Sequence, residues 1–131
     1  MKIRRVAATG WVLLAFHLAS CAPFWGPRDP WDVEAPQEVR LEVQNQHFNE
    51  MVIYAMPDGV RHRIGAVPGL NTVTFELPSM LVLRPGGLRL VITPIGSRET
   101  WSSEPIYPFG GDTVVLVVAA QLQMTHWFIR R

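Results

Sequence analysis

The chain has 131 residues, 48% of them hydrophobic, with twelve basic and eleven acidic side chains. That length accommodates one domain with a real core. Lys2, Arg4 and Arg5 open the chain, so the remainder holds nine bases against all eleven acids, with arginines scattered singly or in pairs. Such scattering forms no phosphate-binding stripe, and nucleic acid is set aside as a partner.

Met1 to Arg5 carries three positive side chains and is followed by the apolar stretch Val6 to Leu18. These are the charged and hydrophobic parts of a secretory signal, too short for a comfortable membrane span. Leu18-Ala19-Ser20-Cys21 comes next and resembles, at every position, the lipobox of bacterial lipoproteins. In that motif an aliphatic and two small residues precede the cysteine that receives lipid.

The resemblance implies that residues 1–20 are a signal peptide removed by cleavage between Ser20 and Cys21. It also implies a diacylglyceryl thioether on Cys21, whose thiol is the soft nucleophile for that transfer. Two or three acyl chains, at about 0.8 kcal/mol per buried CH₂, make an effectively permanent membrane anchor. By enterobacterial analogy, Ala22 after the cysteine, where aspartate favours retention in the inner membrane, points to the outer membrane facing the periplasm. The alternative is a plain signal peptide or an N-terminal helix with an incidental cysteine. Cys21 is the sole cysteine, so no internal disulfide, CxxC pair or thiolate metal cluster is expected.

Residues 21–37 form the lipidated cysteine and a tether. Pro23, Pro27, Pro30 and Pro36 give it extended, polyproline character and a reach of at most about 50 Å at roughly 3.1 Å per residue. Phe24, Trp25 and Trp31 fit either the lipid headgroup region or packing on the domain.

Residues 38–131 read as an all-β domain, since eleven prolines and ten glycines among many Val, Leu, Ile and Thr residues favour short strands joined by turns. Glu38 to Gln44 alternates strictly, with Val39, Leu41 and Val43 on one face. Asn45 to Asn49 breaks the pattern, and Met51 to Met56 forms a second strand with Val52 and Tyr54 inward, not in a tight hairpin with the first. Pro57-Asp58-Gly59 makes a hairpin turn into Val60 to Val67, with Arg61 and Arg63 on its solvent face.

Pro68-Gly69-Leu70-Asn71 turns into Thr72 to Leu77, with Val73, Phe75 and Leu77 on one face. Ser79 to Leu83 is a helical turn or an irregular crossing, and Pro85-Gly86-Gly87 opens Leu88 to Thr93, which Pro94 ends. Glu99 to Tyr107 is a weaker, polar strand. Gly110-Gly111-Asp112 leads to Thr113 to Ala119, apolar on both faces and so expected at the centre of a sheet. Leu122 to Ile129 is the last strand. Seven or eight short strands at this spacing predict one two-sheet antiparallel β-sandwich.

The stretch Val39-x-Leu41-x-Val43-x-Asn45-x-x-Phe48, with Val52-x-Tyr54, Arg61-x-Arg63-Ile64-Gly65-x-Val67-x-Gly69 and Phe75-x-Leu77-Pro78, resembles small lipoproteins of environmental bacteria. Gly111-Asp112-Thr113-Val114 is similar to the last-strand start of transthyretin-like and carboxypeptidase-regulatory-like sandwiches. These resemblances imply an Ig-like or transthyretin-like sandwich used for accessory or binding roles, and they supply no activity and no site residues.

His47, His62 and His126 share no H-x-H or H-E-x-x-H spacing, so neither metal nor cofactor is expected. His62, between Arg61 and Arg63, is expected to face oppositely, at the edge of the core. Ser97, Ser102 and Ser103 lie in no G-x-S-x-G elbow. Asp58 and Asp112 have turn-forming roles beside glycine, and Glu99 and Glu104 belong to no calcium-loop pattern. Only Lys2 is a lysine, and the glycine pairs are too isolated for a phosphate cradle.

The C-terminal His126-Trp127-Phe128-Ile129-Arg130-Arg131 suits a lipid surface, a glycan or a protein partner, or packing as the last strand. The leading expectation is a non-enzymatic, membrane-anchored envelope lipoprotein, attached through lipid on Cys21 and acting on an envelope protein partner. The alternative is a small-ligand or glycan binder using Trp101, Tyr107, Trp127 and the Arg61 and Arg63 face. An enzyme is the third and least supported reading.

Overall fold

The computed structural model describes residues 37–131. The expected leader, the expected Ser20–Cys21 cleavage junction and the expected tether up to Pro36 lie outside the described residues. In chain order the elements are β1 (Val39–Asn45), β2 (Met51–Ala55), β3 (His62–Val67), β4 (Thr72–Leu77), α1 (Ser79–Val82), β5 (Leu90–Pro94), β6 (Trp101–Ser102), β7 (Thr113–Val118) and β8 (His126–Arg130). A single 3-10 turn, Leu122–Met124, precedes β8.

The eight strands make two four-stranded sheets, ordered β4-β1-β7-β8 and β3-β2-β5-β6. This is an all-β sandwich. Alternation decides which side chains fill it: Leu41, Val43, Val114 and Leu116 of the first sheet and Met51, Ile53, Leu90 and Ile92 of the second are all fully buried. Each such side chain contributes about 1.5–3 kcal/mol by leaving water.

β1 and β4 follow the predicted alternation, paired antiparallel from Val39↔Leu77 to Gln44↔Thr72. The first two strands lie in different sheets and form no hairpin, as expected. Gly59 takes φ +80° in the turn that joins β2 to β3, the left-handed conformation its position requires. β7 lies inside its sheet, as its two apolar faces predict. Val114, Leu116 and Val118 point to the core, while Val115 is buried on the outer face between Glu42 and Phe128.

Five features depart from expectation. β1 and β7 run parallel, from Arg40↔Thr113 to Asn45↔Val118, the one parallel pair among the described strands. In β2 the inward residues are Met51, Ile53 and Ala55, not Val52 and Tyr54. Met51 to Met56 is apolar at almost every position, so alternation does not set its phase; pairing of Ile53 with Ile92 does.

β3 starts at His62, and its register shifts so that Ile53 opposes Gly65 while Tyr54 opposes Arg63. This bulge interrupts the alternation, and His62 is exposed together with Arg63, not turned to the core edge. The predicted Glu99–Tyr107 strand shrinks to the two residues of β6 and an isolated Leu88↔Ile106 bridge. The predicted last strand begins at His126, because Leu122–Met124 coils into the 3-10 turn.

The sandwich has two distinct ends. One gathers the β1–β2 and β3–β4 connections and the turn after β5, tied by Leu70 N–H to His47 O (3.1 Å) and Ile95 N–H to Glu50 O (2.9 Å). The other receives the chain at Gln37 and gathers the β2–β3 turn, α1 and the Phe109–Asp112 turn. There Gly111 N–H reaches Glu38 O at 3.3 Å, and Arg84 lies 3.6 Å from Asp58.

Candidate functional site

β3 and β4 contact each other along one side of the sandwich. Along the other, the edge strands β6 and β8 leave an open cleft of about 450 Å³, lined by Trp101, Ser102, Glu104, Thr125, His126 and Trp127. Both strands are sheet edges, so each presents one unpaired row of backbone groups.

The two indoles reach the cleft because of strand phase. Trp127 and Ile129 of β8 face inward and pack on the core, while His126, Phe128 and Arg130 face out. Trp101, opposite Ile92 in the β5–β6 ladder, also packs on the core. Each indole thus combines a structural footing with a face on the cleft wall.

The hydroxyls around it are committed to the backbone. Thr125 Oγ1 accepts the Ala119 N–H at 3.3 Å. The neighbouring Ser103 Oγ accepts the Leu90 N–H at 2.9 Å and donates to the Glu104 carbonyl at 2.7 Å. Ser103 is therefore a ladder-closing serine, buried where no substrate reaches it. What remains for recognition is the two indoles and the Glu104 carboxylate, while the His126 side chain faces out of the sheet. His126 Nδ1 lies 3.3 Å from the Met124 carbonyl.

The structure thus brings Trp101 and Trp127 together and separates the other candidates from them. Arg61 and Arg63 belong to the β3 side, at the opposite edge of the same sheet as β6, where the Arg61 guanidinium stands 5.9 Å from the Tyr54 ring centroid. Tyr107 lies at the Gln37 end, its exposed ring against Gly87. The five residues do not form one binding surface. Glu104 and His126 complete the cleft; only the facing of two edge strands from different sheets reveals it. Ser20 and Cys21 lie outside the described residues.

A second, apolar cavity of about 270 Å³ opens at the Gln37 end, between Val39, Leu77, Val82, Leu83 and Gly110. On the outer face of the first sheet, Glu42 accepts from Gln44 Nε2 (2.8 Å) and from Arg130 Nη2 (2.7 Å). The Gln44 hydrogen bond and then the Arg130 guanidinium hold its carboxyl below the usual glutamate range, against a smaller opposing effect of burial. Among the described residues no three His, Cys, Asp or Glu side chains come together as a metal site, and no helix is long and apolar enough to cross a membrane.

No family model matches the chain, and no curated protein matches it. Among solved structures it is similar to a protein from Eubacterium rectale determined by NMR, with 13% identity over 75% of this chain and 93% of that one and a TM-score of 0.47.

Proposed function

We propose that the chain is a bacterial lipoprotein, anchored through acyl chains on Cys21 in the cell envelope and facing the periplasm from the outer membrane. In this reading its sandwich is a non-enzymatic interaction module. The observation that carries the reading is Leu18-Ala19-Ser20-Cys21, placed directly after a basic start and an apolar stretch, with Cys21 the only cysteine. A secreted fold with no cysteine beyond the anchor must hold together by packing, and the filled core between the two sheets meets that requirement.

The β6–β8 side is the surface such a module offers to an envelope protein. The open edge of β8 accepts an extended segment by strand addition, and the indoles give hydrophobic anchor points. In-cell crosslinking of the tagged protein followed by mass spectrometry tests this, with Cys21→Ser as the unanchored control. One dominant partner, lost in the control, supports the reading. Its absence from the anchored protein removes the interaction module.

A second reading, a glycan or small-ligand site, is favoured by the pair of indoles with Glu104 and His126 around one cleft, since aromatic faces stack on sugar rings. Binding to an array of envelope glycans that persists unchanged in a folded Trp101→Ala protein would rule this cleft out.

A further inference from the structure

We infer that the sandwich rests on the bilayer by the end at which the tether joins it, with Met80, Leu83, Tyr107 and Phe109 set into the lipid headgroup boundary. The inference deepens the anchored-lipoprotein reading and rests on it. These four side chains are exposed far beyond what packing requires, from 59% for Tyr107 to 71% for Leu83. They also share the end of the sandwich that holds α1 and the Phe109–Asp112 turn. Arg84 Nε donates to the Met80 carbonyl at 2.9 Å, Leu83 and Gly110 line the same apolar cavity, and the Arg131 guanidinium stands 5.9 Å from the Phe109 ring centroid.

The chemistry is that of a lipid interface: two aliphatic side chains, an aromatic ring, an amphipathic tyrosine and two arginines at the rim. Of the acids at this end, Asp58 faces Arg84 at 3.6 Å, Asp112 faces Arg131 at 3.9 Å and the exposed Glu76 lies opposite Arg40 in the β1–β4 ladder, each carboxylate thus set beside an arginine, while the exposed Glu38 adds one more.

The opposite end also exposes large apolar residues, Phe48, Leu70, Ile95 and Met124, so exposure alone does not choose between the two. The tether does. Sixteen residues, Ala22 to Gln37, follow Cys21, a span of at most about 50 Å. An anchor joined there keeps the Met80–Phe109 end at high effective concentration beside the membrane, and contacts too weak to recruit a free protein then suffice. The far end is left pointing into the periplasm.

The test uses the full-length protein, extracted from its membrane and reconstituted into vesicles of phosphatidylethanolamine and phosphatidylglycerol. Single nitroxide labels are placed on Leu83→Cys, Phe109→Cys and, as the far-end control, Leu70→Cys; in the lipidated chain the Cys21 sulfur is a thioether and takes no label. Intact mass is read first, then collision of each label with oxygen and with a water-soluble nickel chelate. The expected result is several-fold less nickel contact and more oxygen contact at positions 83 and 109 than at 70. In a chain whose mass includes the diacylglyceryl group, equal nickel contact at all three positions overturns the inference alone. Dipolar broadening at position 83 also overturns it, assigning this face to a second copy. A mass without the group overturns the anchor reading and the inference with it.

Discussion

Asn45 shows how a single buried polar residue organises one end of the sandwich. It continues the inward phase of Val39, Leu41 and Val43, where an apolar side chain is the ordinary choice. Its Nδ2 instead donates to the carbonyls of Asn49, Val67 and Pro68, and its Oδ1 accepts the His47 N–H at 3.0 Å. One side chain thus stitches the β1–β2 connection to the end of β3. Asn45→Ala leaves those carbonyls without their donor and is expected to cost about 2 kcal/mol. Asn45→Asp sets a carboxylate against three carbonyl oxygens and is expected to cost more, read as a larger fall in the urea midpoint.

Glu42 makes a different prediction. Its folded-state pKa is lowered, by Gln44 and then Arg130. The stability it contributes is therefore present above the unfolded glutamate value of about 4.3 and is lost as pH falls through the lower folded value. Arg130 is more than half exposed, so solvent screening keeps the effect small. Glu42→Gln is expected to flatten part of the acid limb of a stability-against-pH curve and to leave neutral stability nearly unchanged.

Legibility at the level of elements depends on contrast between faces. Thr72 to Leu77 was readable to its last residue because threonine and glutamate alternate with Val73, Phe75 and Leu77. Met51 to Ala55 offers no such contrast, and its phase comes from β5, a partner about forty residues away that local sequence does not reveal. The parallel β1–β7 pair and the bulge in β3 are hidden for the same reason. Turns are more local, and Pro68-Gly69-Leu70-Asn71 was readable. Gly69 packs directly against the Phe48 carbonyl, leaving no room for a Cβ, and Leu70 takes φ +57°. Gly69→Ala must push the two connections apart. Leu70→Asn places a residue that tolerates the left-handed region, and is expected to stabilise the domain by about 0.5–1 kcal/mol, measured as a higher thermal midpoint.

At the scale of the whole molecule, the candidate site was half legible. Trp101 and Trp127 stand out in the sequence for their chemistry, and they line one cleft. Residue type alone groups Tyr107, Arg61 and Arg63 with them, and the strand order sends those three to other parts of the surface. Membership of a site depends on which edge strands lie side by side, a long-range property. The proposed tether has the opposite character, because the lipobox-like Leu18-Ala19-Ser20-Cys21 is local and wholly written in sequence. The account of the molecule as a sandwich held by one end therefore stands on Cys21. The most direct test is the intact mass of the protein purified from its native membrane, with the N-terminal peptide sequenced by fragmentation. The account predicts a chain that begins at Cys21 and carries a diacylglyceryl group on its sulfur. A chain that still carries residues 1–20, or that presents Cys21 as a free thiol, would contradict it.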